Sequence, residues 1–513
     1  MRESLLTRTL MGWGYGELVR GFARGKSKDG WHVFSVAIRD YFSDMENHPL
    51  DGETICALST PHGIGGIAVV RVSGPSAWSI VQGFSRRSWD RSQAGSVVLS
   101  QLFDGDQVLD EALLLPFAGP ASFTGEDIVE CHVHGSPFIQ QRLLEMLIEA
   151  GCRMALPGEF TQRAFLHGKR DLAQSEAIGD LIHAEHAGAH RLAVEQLSGG
   201  FSAEIASFRE QLISFAALME LELDFGEEDV EFADRQGYRR LLTDLLARID
   251  TLIGSFSTGR AIAEGVPVVI LGAPNRGKST LLNALLQEDR AIVSATPGTT
   301  RDVIEQHLTL QGIRFRFNDT AGLRETTDEI ESEGIRRALN TARAARFVIY
   351  LLDAQDLQTP AGIAAAEVEV TAAQSSLAQQ PSQATPPQWL LLINKTDLAP
   401  APDPLPTIAG LSTRPICAEE RRGLTELEAA LTSDFVAAMD SRETLVTNLR
   451  HQQALVGARS ALGSALEALD AGLSGDLIAV DNRAALAHLG RITGVVTPDD
   501  LLGHIFANFC IGK

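Results

Sequence analysis

The chain has 513 residues, enough at about 150 residues per domain for roughly three domains with cores of their own, which excludes a small disulfide-stapled module. Its 66 acidic against 44 basic side chains give a net charge of −22, which excludes affinity for nucleic acid spread over the whole surface and leaves room only for a local basic patch. With 44% apolar and 21% charged residues and no apolar run of the roughly 18 residues that span a bilayer, the composition is that of a soluble globular protein without a membrane partner.

Five cysteines, Cys56, Cys131, Cys152, Cys417 and Cys510, stand far apart without a CxxC pair, as expected of reduced thiols in a cytoplasmic protein. The first 44 residues carry seven Lys/Arg against five Asp/Glu and no apolar run of secretory type; the stretch Leu10 to Gly16 contains three glycines. Organised sequence begins after Met45, so Met45 is expected to be the physiological start and residues 1–48 a non-native or disordered extension.

Residues 49–168 read as an α+β domain, with strands at Ile67 to Val72, Ala112 to Leu115 and Ile128 to Val133 and an amphipathic helix from Phe138 to Ala150. Within 169–263 apolar residues recur at helical spacing, for example Phe201, Ile205, Phe208, Leu212, Phe215 and Met219, which predicts long helices. Eight acids in the fifteen residues from Glu220 to Asp234 suit a solvated helix end, with a cation site as the sharper alternative. Between 264 and 442 short apolar strands (Val266 to Leu271, Phe315 to Phe317, Phe347 to Leu352, Trp389 to Ile393) alternate with helices, which predicts a parallel sheet covered on both faces. Ala372 to Gln388, rich in Gln, Ser, Ala and Pro, reads as a flexible surface insertion. Helical texture returns in 443–513, with Leu455, Ala458, Leu462, Leu466 and Leu469 on one stripe and a helix start at Thr497-Pro498-Asp499-Asp500. The simplest packing joins the flanking helices into one all-α domain into which the α/β domain is inserted.

Gly272-Ala273-Pro274-Asn275-Arg276-Gly277-Lys278-Ser279, followed by Thr280, fits the P-loop pattern between a strand and a helix. Its glycines let backbone N–H groups wrap phosphates, Lys278 neutralises the β/γ oxygens, and the Ser279 hydroxyl ligates Mg²⁺. Gly298-Thr299-Thr300-Arg301-Asp302 offers a hydroxyl to complete the Mg²⁺ shell, assigned to Thr300; Asp319-Thr320-Ala321-Gly322 then places an acid near the metal and a glycine near the γ-phosphate. Asn394-Lys395-Thr396-Asp397 ends a strand, and Asp397 selects GTP over ATP because guanine presents a ring N–H and an amine to one carboxylate. Leu323 stands where Ras-like switches carry a water-orienting glutamine, so catalytic help must come from elsewhere.

These motifs, together with Phe123-Thr124-Gly125-Glu126-Asp127, Pro157-Gly158-Glu159-Phe160, Asp171-Leu172-Ala173-Gln174 and the terminal Phe509-Cys510-Ile511-Gly512-Lys513, closely resemble the tRNA modification GTPase family MnmE, also called TrmE, from about Asp51 to Lys513. The resemblance implies a homodimer with an N-terminal tetrahydrofolate-binding domain, an all-α helical domain and an inserted Ras-like P-loop GTPase domain. It further implies that, with the FAD protein MnmG in a heterotetramer, the chain installs an aminomethyl-type group on C5 of the wobble uridine of certain tRNAs. A 5-formyl- or methylene-tetrahydrofolate would supply the one-carbon unit and glycine or ammonium the nitrogen.

By position in the family, Asn275, Ser294, Thr296 and Thr299 would surround a K⁺ that replaces an arginine finger, with Ala295, Pro297 and Gly298 completing that loop around GTP. Glu331 matches the acid that orients water through a second water, although locally it is one of three acids on a helix face. Arg71, Glu130, Lys169 and Lys513 fall on the folate positions, where a carboxylate suits the pterin edge and cations suit the glutamate tail; each also reads as ordinary surface charge. Cys510 is either a small buried residue or a thiolate taking part in one-carbon chemistry. His132 and His134 share a strand face; a structural role is the simpler reading, and only His134 matches the family. Three positions depart from the family pattern: Cys417-Ala418-Glu419 in the base-backing loop, Arg276 in place of a small P-loop residue, and Pro297. The competing class, a ribosome-assembly or signalling GTPase switch without modification chemistry, has no use for the folate-domain signatures or the terminal Cys-Ile-Gly-Lys.

Overall fold

The computed structural model describes residues 52–224, 235–288, 305–318, 345–378, 386–441, 443–495, 502, 505, 506, 509 and 512. The N-terminal extension, most of the acidic run after Asp224 and the helix start at Thr497 lie outside the described residues. By contact the chain divides into two units, Met1–Lys169 with Cys510–Lys513, and Arg170–Phe509.

In the first unit, six strands form one sheet: β1 (Ile55–Leu58), β2 (Ala68–Ser73), β3 (Val98–Asp104), β4 (Gln107–Phe117), β5 (Ile128–Val133) and β6 (Arg153–Met154), in the order β3-β4-β5-β2-β1-β6. All neighbours are antiparallel except β1 and β6. Helices α1 (Ala77–Gly83), α2 (Pro137–Glu149) and α3 (Glu159–Leu166) complete the α+β unit. The strand periodicity of two sends Val70, Val72, Leu102, Leu114, Val129 and Cys131 into one core beside Leu143 and Leu147 of α2. Cys56, Cys131, Cys152 and Cys417 are free thiols, and burial pushes the Cys131 thiol up to about 12, so it stays protonated.

Two of the signature motifs meet around Arg163, one of the largest fully buried side chains. Its guanidinium donates to Glu126 at 2.9 Å, to Glu159 at 2.9 Å and to the carbonyl of Glu53. Glu126 also accepts from Ser73, and Glu159 from Arg153 and the Leu156 N–H. Both terminal nitrogens of this buried guanidinium are thus partnered, its Nε being left without a hydrogen bond, and that need explains acids at both motif positions.

The second unit begins with α4 (Leu172–His183), α5 (Ala187–Leu197), α6 (Gly200–Asp224) and α7 (Arg235–Glu264), and ends with α11 (Leu449–Asp470) and α12 (Gly475–Thr493). Asp171 and Gln174 form a capping box at the start of α4. Phe201, Ile205, Phe208, Leu212 and Phe215 of α6 and Leu455, Ala458, Leu462 and Leu469 of α11 share one core with Leu242, Leu245, Ile249 and Leu252 of α7. The two helical stripes thus fold as their spacing predicts from Phe201 to Phe215 and from Leu455 to Leu469, with Leu466 partly buried against the same core; the side chain of Met219 lies outside what the structure describes.

Between α7 and α11 lies the α/β part: β7 (Val266–Leu271), α8 (Lys278–Glu288), β8 (Glu305–Leu310), β9 (Ile313–Asn318), β10 (Phe347–Asp353), α9 (Pro360–Ala378), β11 (Gln388–Asn394), β12 (Thr407–Ile408), β13 (Leu411–Pro415) and α10 (Leu424–Asp440). The sheet order is β12-β13-β11-β10-β7-β9-β8, parallel through its centre with antiparallel pairs at both edges. Every residue of β10 is buried, because alternate side chains enter separate cores on the two faces. The expectation of a flexible insertion from Ala372 is corrected at its start. Ala372 to Ala378 continues α9, since alanines favour the helix and Val370 and Leu377 are seated in the core; 379–385 lie outside the described residues.

The helical part is tied by a buried ion cluster. Arg450 of α11 donates to Glu176 of α4 at 2.7 and 2.8 Å and to the last carbonyls of α12, Arg491 and Ile492, while His451 lies 2.8 Å from the same carboxylate. Burial pushes the Glu176 carboxyl up, but the hydrogen bonds and charges of His451 and Arg450 outweigh it and hold it at about 2. Because the folded value lies below the unfolded one, the stabilisation is complete above about 4.5 and is lost as pH falls towards about 2. Arg450→Ala is expected to cost about 3 kcal/mol by removing one charged partner of the buried carboxylate and leaving it to His451. Urea unfolding at neutral pH and near pH 3 checks both: the variant's penalty should shrink in acid, and a penalty independent of pH would exclude the charge as its cause.

Candidate nucleotide-binding site

The site forms at the carboxyl ends of β7, β10 and β11, where parallel strands of an open sheet present their loops. The chain leaves β7 through Gly272 (φ 142°), at which a Cβ would stand 2.7 Å from the Leu351 carbonyl. It turns at Asn275 (φ 60°) and Gly277 (φ 90°) and enters α8 at Lys278, with Ser279 and Thr280 in the first turn. Lys278 places its ammonium on the carbonyls of Gly272 at 2.8 Å and Ala273 at 3.0 Å, across the loop that would cradle phosphates.

Asn394 unites three segments. Its Nδ2 donates to the Arg276 carbonyl at 2.9 Å and its Oδ1 accepts from the Ala418 N–H at 3.0 Å, so one buried side chain fixes the P-loop against the base-backing loop. Beside it, Lys395 (φ 61°) pairs with Asp353 at 2.7 Å, and the Thr396 hydroxyl donates to the Ile416 carbonyl at 2.9 Å.

Asp397 accepts from the Cys417 thiol at 3.1 Å. That bond, then its own backbone N–H and the charges of Arg422 and Lys395, hold its carboxyl below the usual carboxylate range. The departure at Cys417 therefore keeps a side-chain donor on Asp397, the acid expected to select the base, while Glu419 is exposed. Arg276 turns away from the loop mouth: its guanidinium reaches Glu369 of α9 at 3.0 Å, the Leu351 carbonyl at 3.3 Å and Asp356 at 3.5 Å, and Glu369 also accepts from Tyr350 at 2.6 Å. Its partners are strand and helix residues far along the chain, which no local motif announces.

Ser294, Ala295, Thr296, Pro297, Gly298, Thr299, Thr300, Asp319, Thr320, Ala321, Gly322 and Glu331 lie outside the described residues, as do Cys510 and Lys513. In the first unit, Arg71 and Glu130 are brought together at 2.7 Å on adjacent strands, with Arg71 held between the rings of Phe123 and Phe160. The Nη1 of Arg71 is buried without a hydrogen-bond partner. Lys169 is exposed after α3. His134 is fixed by Asp110 at 2.7 Å, and His132 faces Glu130 at 3.6 Å; among the described residues no group of three metal-ligating side chains gathers. No described helix is long and apolar enough to cross a membrane.

A family model described as the MnmE helical domain matches residues 172–510, and one described as the GTP-binding protein TrmE N-terminus matches 54–169. Proteins named tRNA modification GTPase MnmE are similar over 90% of this chain: that of Christiangramia forsetii is 44% identical with 99% of its own length covered, that of Cytophaga hutchinsonii 46% with 98%, and that of Parabacteroides distasonis 45% with 100%. The chain belongs to the MnmE family.

The site geometry makes two expectations. Asp397→Asn replaces one of two acceptors by a donor, so preference should move from guanosine to xanthosine nucleotides in competition binding; unchanged selectivity would displace Asp397 from base recognition. Cys417→Ala should weaken GDP binding about three- to tenfold and Cys417→Ser restore it, measured with a fluorescent nucleotide.

Proposed function

We propose that this member of the MnmE family is a K⁺-stimulated GTPase whose cycle gates modification of a tRNA wobble uridine at C5. The observation that carries the reading is the Asn394 junction, which ties a P-loop to a guanine-selecting loop in a chain that also matches the TrmE N-terminus. In this reading the backbone from Asn275 to Thr280 and the Lys278 ammonium hold the phosphates, and Ser279 and Thr300, with Asp319 nearby, hold Mg²⁺. Asn275, Ser294, Thr296 and Thr299 offer the neutral oxygens that a large monovalent cation prefers. Glu331 orients the attacking water through a second water, the task that Leu323 leaves open.

The partly enclosed Arg71–Glu130 pair, with its unpartnered Nη1, supports a folate site completed by Lys169 and Lys513. A bound tetrahydrofolate derivative would supply the one-carbon unit. Arg71 and the lysines would hold its carboxylates and Glu130 its pterin edge, beside the Cys510 thiol. The proposal includes a cytoplasmic homodimer that works with MnmG, which brings FAD, and with glycine or ammonium as nitrogen donor.

GTP turnover by the full chain should be several-fold faster in KCl than in NaCl; equal rates would remove the K⁺ claim. Glu331→Ala should bind GTP normally yet hydrolyse it about a hundredfold more slowly. Mass spectrometry of tRNA nucleosides from a strain lacking the protein should show wobble uridines without the C5 group, whereas unaltered nucleosides would favour a switch without modification chemistry.

A further inference from the structure

We propose that the β8–β9 hairpin is the element through which the nucleotide site acts on the helical part, with His186 as its positioning residue. The inference rests on the reading of Gly298–Asp302 and Asp319–Gly322 as nucleotide-sensing segments. In sequence, the first of these leads into β8 and the second follows β9 directly, so the hairpin is the covalent bridge between them.

The hairpin tip is built into its neighbour. Leu310 and Ile313 pair across the two-residue turn Gln311-Gly312, whose φ values of 49° and 80° match the twist of the strands. A glutamine held in the left-handed region is strained, so this tip shape is maintained by what surrounds it. The surroundings are the start of α5. The Gly312 carbonyl accepts from the Gly188 N–H at 2.8 Å, and Arg314 pairs with Glu185. A Cβ on Gly188 would stand 3.0 Å from Ile262 and 3.1 Å from the Gly312 oxygen, and one on Gly312 would stand 3.1 Å from Ala187. Backbone meets backbone here, so the contact cannot yield by side-chain rotation.

His186 caps α5, its Nδ1 accepting from the Ala189 N–H at 3.2 Å, and that nitrogen also lies 3.2 Å from the Gly312 oxygen. The ring is buried, and desolvation lowers its pKa; its Nδ1 serves either the Ala189 N–H as acceptor or the Gly312 carbonyl as donor, one at a time, so the tautomer couples the α5 cap to the hairpin tip. Below the tip, Leu308, Leu310, Ile313 and Phe315 share one core with Leu192 of α5 and Ile262 of α7.

The other end of α5 is gripped as well. Gln196 donates to the Ala173 carbonyl of α4 at 3.2 Å, and Gln174 donates to the Leu197 carbonyl at 3.3 Å. The α4 helix in turn carries Glu176, whose ion cluster holds the last turn of α12. A displacement of the hairpin therefore meets packed elements at each step rather than a loop that could absorb it.

The test is hydrogen exchange of the α5 amides in the full chain, with GDP and with guanosine 5′-(β,γ-imido)triphosphate. Exchange of residues 187–197 should differ between the two nucleotides by at least about fivefold. The difference should vanish in Glu185→Lys, whose exposed position leaves nucleotide affinity and the melting temperature near wild type, and in His186→Ala, which also loses the α5 cap and so melts somewhat lower. The charge swap Glu185→Arg with Arg314→Glu should restore it. Equal α5 exchange in both nucleotides, or a difference that survives in both single variants, would overturn the proposal. Because the readout needs only guanine nucleotides, a wild-type protein that failed to modify tRNA would remove the proposed function and leave this inference standing.

Discussion

An inserted domain must leave and re-enter its host at neighbouring points, and that closure is the constraint on which the second unit depends. The chain departs after Glu264 and returns through Leu445 to Asn448. The two crossings are pinned together where Ser255 accepts from the Val446 N–H at 3.0 Å, and where Gly259 of α7 lets the Val446 backbone approach closer than any side chain would allow. With this junction closed, α7 and α11 lie in one core although more than 180 residues separate them, and the helical stripes on both sides of the insertion complete each other. The same closure brings the hairpin to α5, because only Gly265 separates the end of α7 from the start of β7.

A second constraint runs through both units: charge that is buried is paired several times over. Arg163 answers Glu126 and Glu159, Arg450 answers Glu176 and two helix-end carbonyls, and Arg276 answers Glu369 and a strand carbonyl. Each joins segments that local hydrogen bonding cannot reach, and a single partner lost leaves a desolvated charge. In the nucleotide site this places the P-loop under two tethers, Asn394 through its backbone and Arg276 through its side chain. The loop geometry is then set by the sheet and by α9 together.

What the sequence made legible follows from how local the governing physics is. The P-loop, the helical stripes and the buried strands could be read because spacing and residue type within about ten residues determine them. The edge strand β3 was harder, since its inward face includes Ser100, which is satisfied by the Ser85 hydroxyl at 2.7 Å and so needs no apolar neighbour. The motifs around Glu126 and Glu159 could be matched to a family, yet their shared partner Arg163 lies 37 residues from the first, and nothing in either motif names it. The partners of Arg276 and the thiol contact on Asp397 are of the same kind. Composition alone misjudged the start of the Ala372 segment, where a low-complexity run of good helix formers continues a helix already anchored in the core.

The net charge of −22 acquires a structural meaning from these pairings. On the helical part, arginines that could have made a basic face are paired with acids: Arg239 with Asp470, Arg248 with Glu204, Arg459 with Asp250 and Arg260 with Glu264. Such exposed pairs add little stability, but each cancels a charge that a phosphate backbone would otherwise meet. A tRNA approaching the proposed site would therefore be met by a field that is neutral or repulsive over these helices. Its affinity would have to come from a restricted patch or from a second protein.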